Sequence, residues 1–348
     1  MHEDQQHSKP PRRTLFVALL ALTLLAVGCA SLRRPGQAPP PTTVKMVVRP
    51  FLGSGPFGIA QEEGYFAEQG ITIEPVTVET SAAGIPILAN GGLDVLAGVM
   101  SVALFNAISH GENIRFVASQ GSLGDGGCAH SALVARKALV ESGQLRSPAD
   151  LRGKRIAYNR ANFERFHVET LLAQAGLTSD DLELVDIPDS AELGAMEQGA
   201  LDVAYASEPT LSQMVANWSG VVWMPIQEIA PDFQLAVVMF GPSLLEQRPE
   251  VGERFMVAYL KAVRQYNQGK TARNVELMAN FIKLDQGLVK DACWLPYPDN
   301  GQINAQSVLD LQNWAVKSGL MDAAVPENGF WEPRFVNHAN ATLGQAGS

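Results

Sequence analysis

The sequence predicts an α/β protein of two similar lobes, joined by two hinge crossings and finished by a helical tail. Three observations predict it. Short apolar strands alternate with helical stretches twice over, from Val44 to Ala118 and again from Arg155 to Met224, and such alternation implies parallel pairing with right-handed crossovers. A unit of helix end, glycine and Leu-Asp-Val strand occurs once in each half, as Ala89-Asn90-Gly91-Gly92-Leu93-Asp94-Val95 and as Glu197-Gln198-Gly199-Ala200-Leu201-Asp202-Val203. From Gly241 to Gly344 the strand signals stop and the pattern is mainly helical.

The elements follow in order. Val44–Val48 reads as a strand, Phe57–Gln69 as a helix with Gly70 at its stop, and Ile71–Val78 as a second strand. A helix over Ala82–Ala89 leads into a strand at Leu93–Ala97, and a helix over Val102–Ser109 into a strand at Ile114–Ala118. Leu133–Arg136 is the first crossing strand. The alternation then restarts with Arg155–Tyr158, the helix Phe163–Ala175 closed by Gly176, Leu182–Val185, the helix Ala191–Gln198 and Leu201–Tyr205. Thr210–Ala216 is helical, Gly220–Met224 extended, and Gln234–Phe240 is the return crossing. In both Leu-Asp-Val units the glycine supplies the left-handed turn that ends the helix. The first lobe is then 43–132 plus 238–348, and the second 133–237.

The first residues set the compartment. Lys9, Arg12 and Arg13 precede the apolar run Thr14–Val27, which is shorter than the about 20 residues a bilayer span needs and has the form of a secretory signal. The run ends in Leu25-Ala26-Val27-Gly28-Cys29, which resembles the bacterial lipobox; residues 1–28 are then the signal peptide and Cys29 carries the lipid. The alternative is an ordinary signal peptide with an incidental cysteine. Gln37–Pro41 (QAPPP) reads as an extended tether within 29–42. Losing residues 1–28 removes three basic and two acidic side chains and takes the net charge from −10 to −11. That charge repels nucleic acid and anionic membrane, and excludes nucleic acid as a partner. Of the remaining cysteines, Cys128 and Cys293, an oxidising compartment permits a bridge, and the sequence leaves their pairing open.

Motifs of catalysis are scarce. Gly53-Ser54-Gly55-Pro56-Phe57-Gly58 is a literal GxGxxG between strand and helix, with Glu79 beyond the next strand. It suggests an exported nicotinamide-dependent oxidoreductase, but Pro56 removes an N–H from the turn that would face the pyrophosphate. No GxSxG, HExxH or P-loop occurs, and His110, His130, His167 and His338 each stand alone. No metal, cofactor or catalytic residue is expected.

The stretch from Pro50 through Phe57-Gly58-Ile59-Ala60-Gln61-Glu62-Glu63-Gly64-Tyr65-Phe66-Ala67-Glu68-Gln69-Gly70-Ile71 resembles the opening of the solute-binding proteins for nitrate, taurine, aliphatic sulfonates and thiamine-pyrimidine precursors. So do Leu93-Asp94-Val95, Asp150-Leu151-Arg152-Gly153-Lys154-Arg155-Ile156-Ala157, and Gly199-Ala200-Leu201-Asp202-Val203 leading to Glu208-Pro209. The order and spacing are similar from about residue 43 to about residue 265. The resemblance implies a type II periplasmic binding protein, a monomer that closes two lobes on a small molecule and delivers it to an ABC permease with its ATPase. A sensory domain reporting to a separate receptor is another reading.

A ligand in such a fold sits at the carboxyl ends of strands, against helix N-termini. Those loops offer Ser54, Ser101, Asn159 and Asn162 as hydrogen-bonding groups, Phe51, Phe57 and Phe163 as an apolar clamp, Arg49 as a cation and Glu208 as the carboxylate facing the cleft. The first strand's end lacks the tryptophan and the Asn/His stretch of the pyrimidine-precursor branch, and the cysteine-rich motif of the fungal pyrimidine-making enzymes is missing. Asn159-Arg160-Ala161-Asn162-Phe163, with Tyr158 and Phe166 nearby, suits a flat heterocycle such as riboflavin. A sulfonate, taurine or nitrate held by Arg49 or Arg160 is the alternative.

Overall fold

The computed structural model describes residues 41–124, 127–216 and 220–344. The signal segment, Cys29 and the tether as far as Pro40 lie outside the described residues. Two five-stranded sheets carry the fold, in the orders β2-β1-β3-β10-β4 and β7-β6-β8-β5-β9. The first holds β1 (Thr42–Val47), β2 (Ile71–Pro75), β3 (Val95–Val99), β4 (Arg115–Ser119) and β10 (Ala236–Phe240). The second holds β5 (Ser131–Arg136), β6 (Arg155–Ala157), β7 (Glu183–Leu184), β8 (Val203–Ser207) and β9 (Gly220–Pro225).

Parallel pairing holds for β2-β1-β3 and for β7-β6-β8. It fails for the crossing strands: β10 runs antiparallel to β3 and β4, and β5 antiparallel to β8 and β9. Each enters its sheet from the other half of the molecule and so arrives reversed.

Helices α1 (Gly55–Glu62), α2 (Ser81–Ala89) and α3 (Val102–Ser109) follow β1, β2 and β3. Helices α4 (Phe163–Gln174), α5 (Asp189–Glu197) and α6 (Thr210–Ala216) follow β6, β7 and β8 in the same way. The long helix expected over Phe57–Gln69 is broken. Gly64 takes a left-handed φ of 75°, ends α1 and starts a separate turn at Tyr65–Glu68.

The GxGxxG glycines prove to be packing glycines. A Cβ on Gly55 would lie 2.8 Å from Tyr266 and Met278, and one on Gly58 2.6 Å from Phe281. They let α1 press against α7 (Pro249–Tyr266) and α8 (Ala272–Ile282), so the loop is enclosed by the tail and offers no cradle for a pyrophosphate.

The tail reaches both halves. Tyr259 on α7 donates to the carbonyl of Ser119 at 2.7 Å, and α10 (Arg334–Leu343) packs along α7. Helix α9 (Ala305–Lys317) touches α3 beside the first sheet and α4 beside the second, where Trp314 donates to Glu169 at 3.1 Å. Buried Gln234 ties the crossings to each other and to the tail. Its Nε2 donates to Ser119 Oγ (2.9 Å) and to the carbonyls of Gly121 (3.0 Å) and Ala236 (2.7 Å), while its Oε1 accepts from Asn304 N (3.0 Å).

Candidate functional site

Between the two sheets lies a cleft of about 540 Å³. It is lined by loops at the carboxyl ends of strands: 49–51 after β1, 80–82 after β2, 98–101 at β3, 159–164 after β6 and 207–208 after β8. Strand geometry explains the convergence, since the parallel strands of each sheet all end on the same edge.

Seven of the nine residues expected from the sequence line this cleft: Arg49, Phe51, Ser101, Asn159, Asn162, Phe163 and Glu208. Ser54 and Phe57 do not. Ser54 is wholly buried, with its hydroxyl 3.2 Å from Gln120 Nε2, and Phe57 packs on Tyr259 with ring centroids 4.8 Å apart. The close approach of α1 to the tail turns both into the core.

Three helix caps meet at the cleft. Thr80 caps α2 by accepting from Ala83 N (3.2 Å), Ser101 caps α3 through Leu104 N (3.3 Å), and Asn162 caps α4 through Glu164 N (2.8 Å). Each leaves a helix N-terminus, the positive end of its dipole, turned toward the same space. Ser101 and Asn162 also pair as an isolated antiparallel bridge, so the two rims touch there. Arg49 is exposed on the rim, and among the described residues no hydrogen bond or ion pair engages its side chain.

Stacking groups are fewer than the sequence suggested. Phe163 is only 4 % exposed and its ring packs among His167, Tyr205 and Phe233. Phe166 stacks on Phe233 and meets Trp314, away from the cleft. The amides are engaged locally as well. Asn159 Oδ1 accepts from Ala161 N (2.9 Å), and Asn162 uses its oxygen for the cap and its nitrogen for Glu164 (3.3 Å). Of the two phenylalanines that line the cleft, Phe51, half-buried, is the less enclosed.

Glu208 is 6 % exposed. Its Oε1 accepts from Ser212 Oγ (2.8 Å) and Cys293 N (3.0 Å), and its Oε2 from Ser212 N (3.2 Å). Among the described residues no cation holds it. Beside it stands His130, a residue that no motif in the sequence singles out. The antiparallel register of β5 and β8 sets Ser131 against Ser207, and Glu208 N donates to the His130 carbonyl at 2.9 Å. The His130 Nδ1 lies 3.1 Å from the Cys293 carbonyl. A carbonyl only accepts, so Nδ1 carries the proton and Nε2 is an acceptor. Burial pushes the imidazole pKa down, which keeps the ring neutral.

Cys128 and Cys293 are joined in a disulfide, with Cα atoms 5.8 Å apart. Among the described residues no group of three His, Cys, Asp or Glu side chains could hold a metal. The cleft can therefore enclose a solute, offer helix N-termini and a guanidinium to an anion, and offer Glu208 and His130 to a donor.

Comparison with known proteins agrees with this architecture. A family model described as "NMT1/THI5 like" matches residues 53–268. The taurine-binding periplasmic protein of Escherichia coli K12 is 23 % identical over 286 residues, covering 77 % of this chain and 85 % of that protein. The nitrate-binding protein NrtA of Synechocystis PCC 6803 superposes with a TM-score of 0.71 at 12 % identity, over 88 % of this chain and 90 % of that one. The alkanesulfonate-binding protein SsuA of Xanthomonas axonopodis pv. citri, bound to MOPS, gives 0.67 at 15 % identity, over 84 % and 99 %. The fold is that of the type II periplasmic binding proteins, and with more than half of its length matched by the model the chain belongs to the NMT1/THI5-like family.

Proposed function

We propose that this chain is an extracytoplasmic, lipid-anchored substrate-binding protein of an ABC importer, and that its solute is a small organic anion carrying an amine, of the aminosulfonate kind. One observation carries the choice: three helix N-termini and the Arg49 guanidinium share a single cleft with two acceptors, Glu208 and His130. An anionic group is stabilised by the helix ends and the guanidinium. An ammonium is stabilised by the buried carboxylate, which has no cationic partner among the described residues and would otherwise stay desolvated at a cost. The relatives that bind taurine and alkanesulfonates support this reading. A flat vitamin such as riboflavin loses ground because the Phe163 ring is mostly core and the Asn159 oxygen and both ends of the Asn162 amide are already engaged. The protein's work is binding and closure. The solute favours the closed pair of lobes by its greater affinity for it, and the permease receives that form.

The test is a thermal-shift panel of taurine, alkyl sulfonates, nitrate, riboflavin and a thiamine pyrimidine. A solute at about 100 times its Kd adds about 2.7 kcal/mol, enough to move the melt by a few degrees. A shift with taurine, weakened by both Arg49→Ala and Glu208→Gln, is the expected result. A shift with riboflavin alone sinks the aminosulfonate reading. Labelling of Cys29 with a radioactive fatty acid in cells, lost in Cys29→Ala, checks the anchor.

A further inference from the structure

We propose that the Cys128–Cys293 disulfide sets the geometry of the ligand cleft, by fixing a residue whose main chain positions Glu208 and His130. This rests on reading that cleft as the solute site. The four residues form a closed circuit. Cys293 N–H donates to Glu208 Oε1 at 3.0 Å, His130 Nδ1–H donates to Cys293 O at 3.1 Å, Glu208 N–H donates to His130 O at 2.9 Å, and Cys293 Sγ is bonded to Cys128, two residues before His130. One peptide unit on each side of Cys293 thus serves two different cleft side chains, a carboxylate and an imidazole.

Chain connectivity explains why a covalent bond is needed there. Cys293 comes from the helical tail and lies 165 residues from Cys128. Nearby, the tail is also held by the segment after β4, by α7 and by the loop before α1: Ser122 N donates to Pro296 O (3.1 Å), Tyr266 Oη donates to Leu295 O (3.0 Å), and the Tyr297 hydroxyl donates to the Gly53 carbonyl. Glu208's remaining partner, Ser212, sits on the same short stretch of chain as Glu208 itself. Cys293 is therefore the long-range contact that chooses where the carboxylate points. The imidazole is set in the same way. With its Nδ1 proton held by the Cys293 carbonyl, its Nε2 stays an acceptor; released, a histidine ring exchanges between tautomers and turns donor at Nε2. Glu208 and His130 are the binding groups, and Cys293 is a positioning residue for both.

The circuit can be opened chemically because Cys128 is exposed. Dithiothreitol attacks the disulfide. Its two thiols give two electrons and two protons to the sulfurs, leaving two cysteine thiols and cyclic oxidised dithiothreitol.

The decisive experiment is nitrogen NMR of the full chain with ¹⁵N-labelled histidine, comparing the native protein with C128S/C293S. If the double variant does not fold, the native protein treated with dithiothreitol gives the same reading. In the native chain His130 shows the Nδ1–H tautomer. With the bridge gone, Nε2–H becomes populated at His130, and the amide at 293 exchanges at least about tenfold faster. His167, whose Nδ1 faces Tyr205 Oη at 3.0 Å and which makes no bond to Cys293, keeps its signals and reports any general loosening. An unchanged His130 tautomer with residue 293 still protected overturns the proposal. Calorimetry with taurine supplies the binding arm: affinity falls roughly tenfold without the bridge, the loss expected for one displaced charge-assisted hydrogen bond. Glu208→Gln then costs less in the bridge-free background than in the native one, because the carboxylate is already misplaced. Equal losses in both backgrounds overturn the positioning role. A native chain that gives no heat with taurine removes the solute assignment, and the tautomer result still decides this one.

Discussion

The two Leu-Asp-Val units, so alike in sequence, are anchored by different chemistry. In the first, Asp94 Oδ2 accepts from the main-chain N–H of Lys45 on β1 (2.8 Å), and its Oδ1 takes Arg248 (2.6 Å) and Ser243 (2.5 Å) from the tail. In the second, Asp202 Oδ2 accepts from the equivalent N–H, that of Arg155 on β6 (3.0 Å). Its cations come from within its own sheet: Arg155 forks onto both oxygens (2.8 and 3.1 Å), and Arg136 adds a bond at 2.7 Å. One aspartate stitches its strand to a distant helix, and the other locks three neighbouring strands together. The same turn thus serves two lobes, and the long-range partners, which the repeat does not specify, make each lobe different.

The largest expected effect cuts the bond between the tail and the segment that leads into β5. Reducing the disulfide, or making C128S/C293S, frees a loop of 165 residues and costs about 5 kcal/mol in the chain-entropy account. Chemical denaturation checks it. A loss below about 1 kcal/mol means that Gln234 and α9 suffice to hold the tail across both sheets.

Next comes Asp202→Asn. It leaves two guanidinium groups without a carboxylate, but these are about one-third exposed and recover some hydration, so the cost is about 2–3 kcal/mol. Burial raises the Asp202 pKa, yet the hydrogen bonds and charge of Arg155 outweigh it, and the net value lies below the ordinary 3.8. The carboxylate's contribution is therefore complete above the unfolded value and is lost as pH falls through the lower folded one. The gap between native protein and variant should be constant near neutrality and close below about pH 4. A gap that persists unchanged to the lowest pH at which the fold survives contradicts the ion-pair account. Asp94→Asn is smaller, about 1–2 kcal/mol, since one guanidinium is involved and it is 36 % exposed. A reversed order of the two costs means the tail contact outweighs the in-sheet lock.

Most of the fold was legible because it is local. Strand and helix periods, and Gly91 and Gly199 as stops, placed both units correctly. The antiparallel entry of β5 and β10 was not, because direction in a sheet depends on where the chain comes from and leaves no mark on a short, mostly apolar run. The site divides in the same way. Topology put Ser101, Asn162 and Glu208 at strand ends, and they line the cleft. The loop at Ser54 and Phe57 looked equally suitable, but the glycines that suggested a ligand there are what admit α7 and α8, and that contact is made over more than 200 residues. His130 was illegible for the same reason: only the β5–β8 register and the Cys128–Cys293 bond bring it to Glu208.

The smallest effect tests whether the shared turn is as equivalent as it looks. Gly91 and Gly199 have φ of 73° and 69°, a region where a side chain strains against its own backbone, so alanine at either should cost about 1 kcal/mol. Around Gly91 a Cβ meets nothing within 4 Å, whereas at Gly199 it approaches Arg136 Nη1 at 3.3 Å. Arg136 is one of the two cations on Asp202, so Gly199→Ala pushes on the ion pair as well as on the turn. The two substitutions should therefore cost the same in an Asp202→Asn background and differ by a few tenths of a kcal/mol in the native one. Equal costs in both backgrounds would show that the guanidinium yields freely and that the turns are interchangeable. A difference that survives Asp202→Asn would place its origin in the backbone itself.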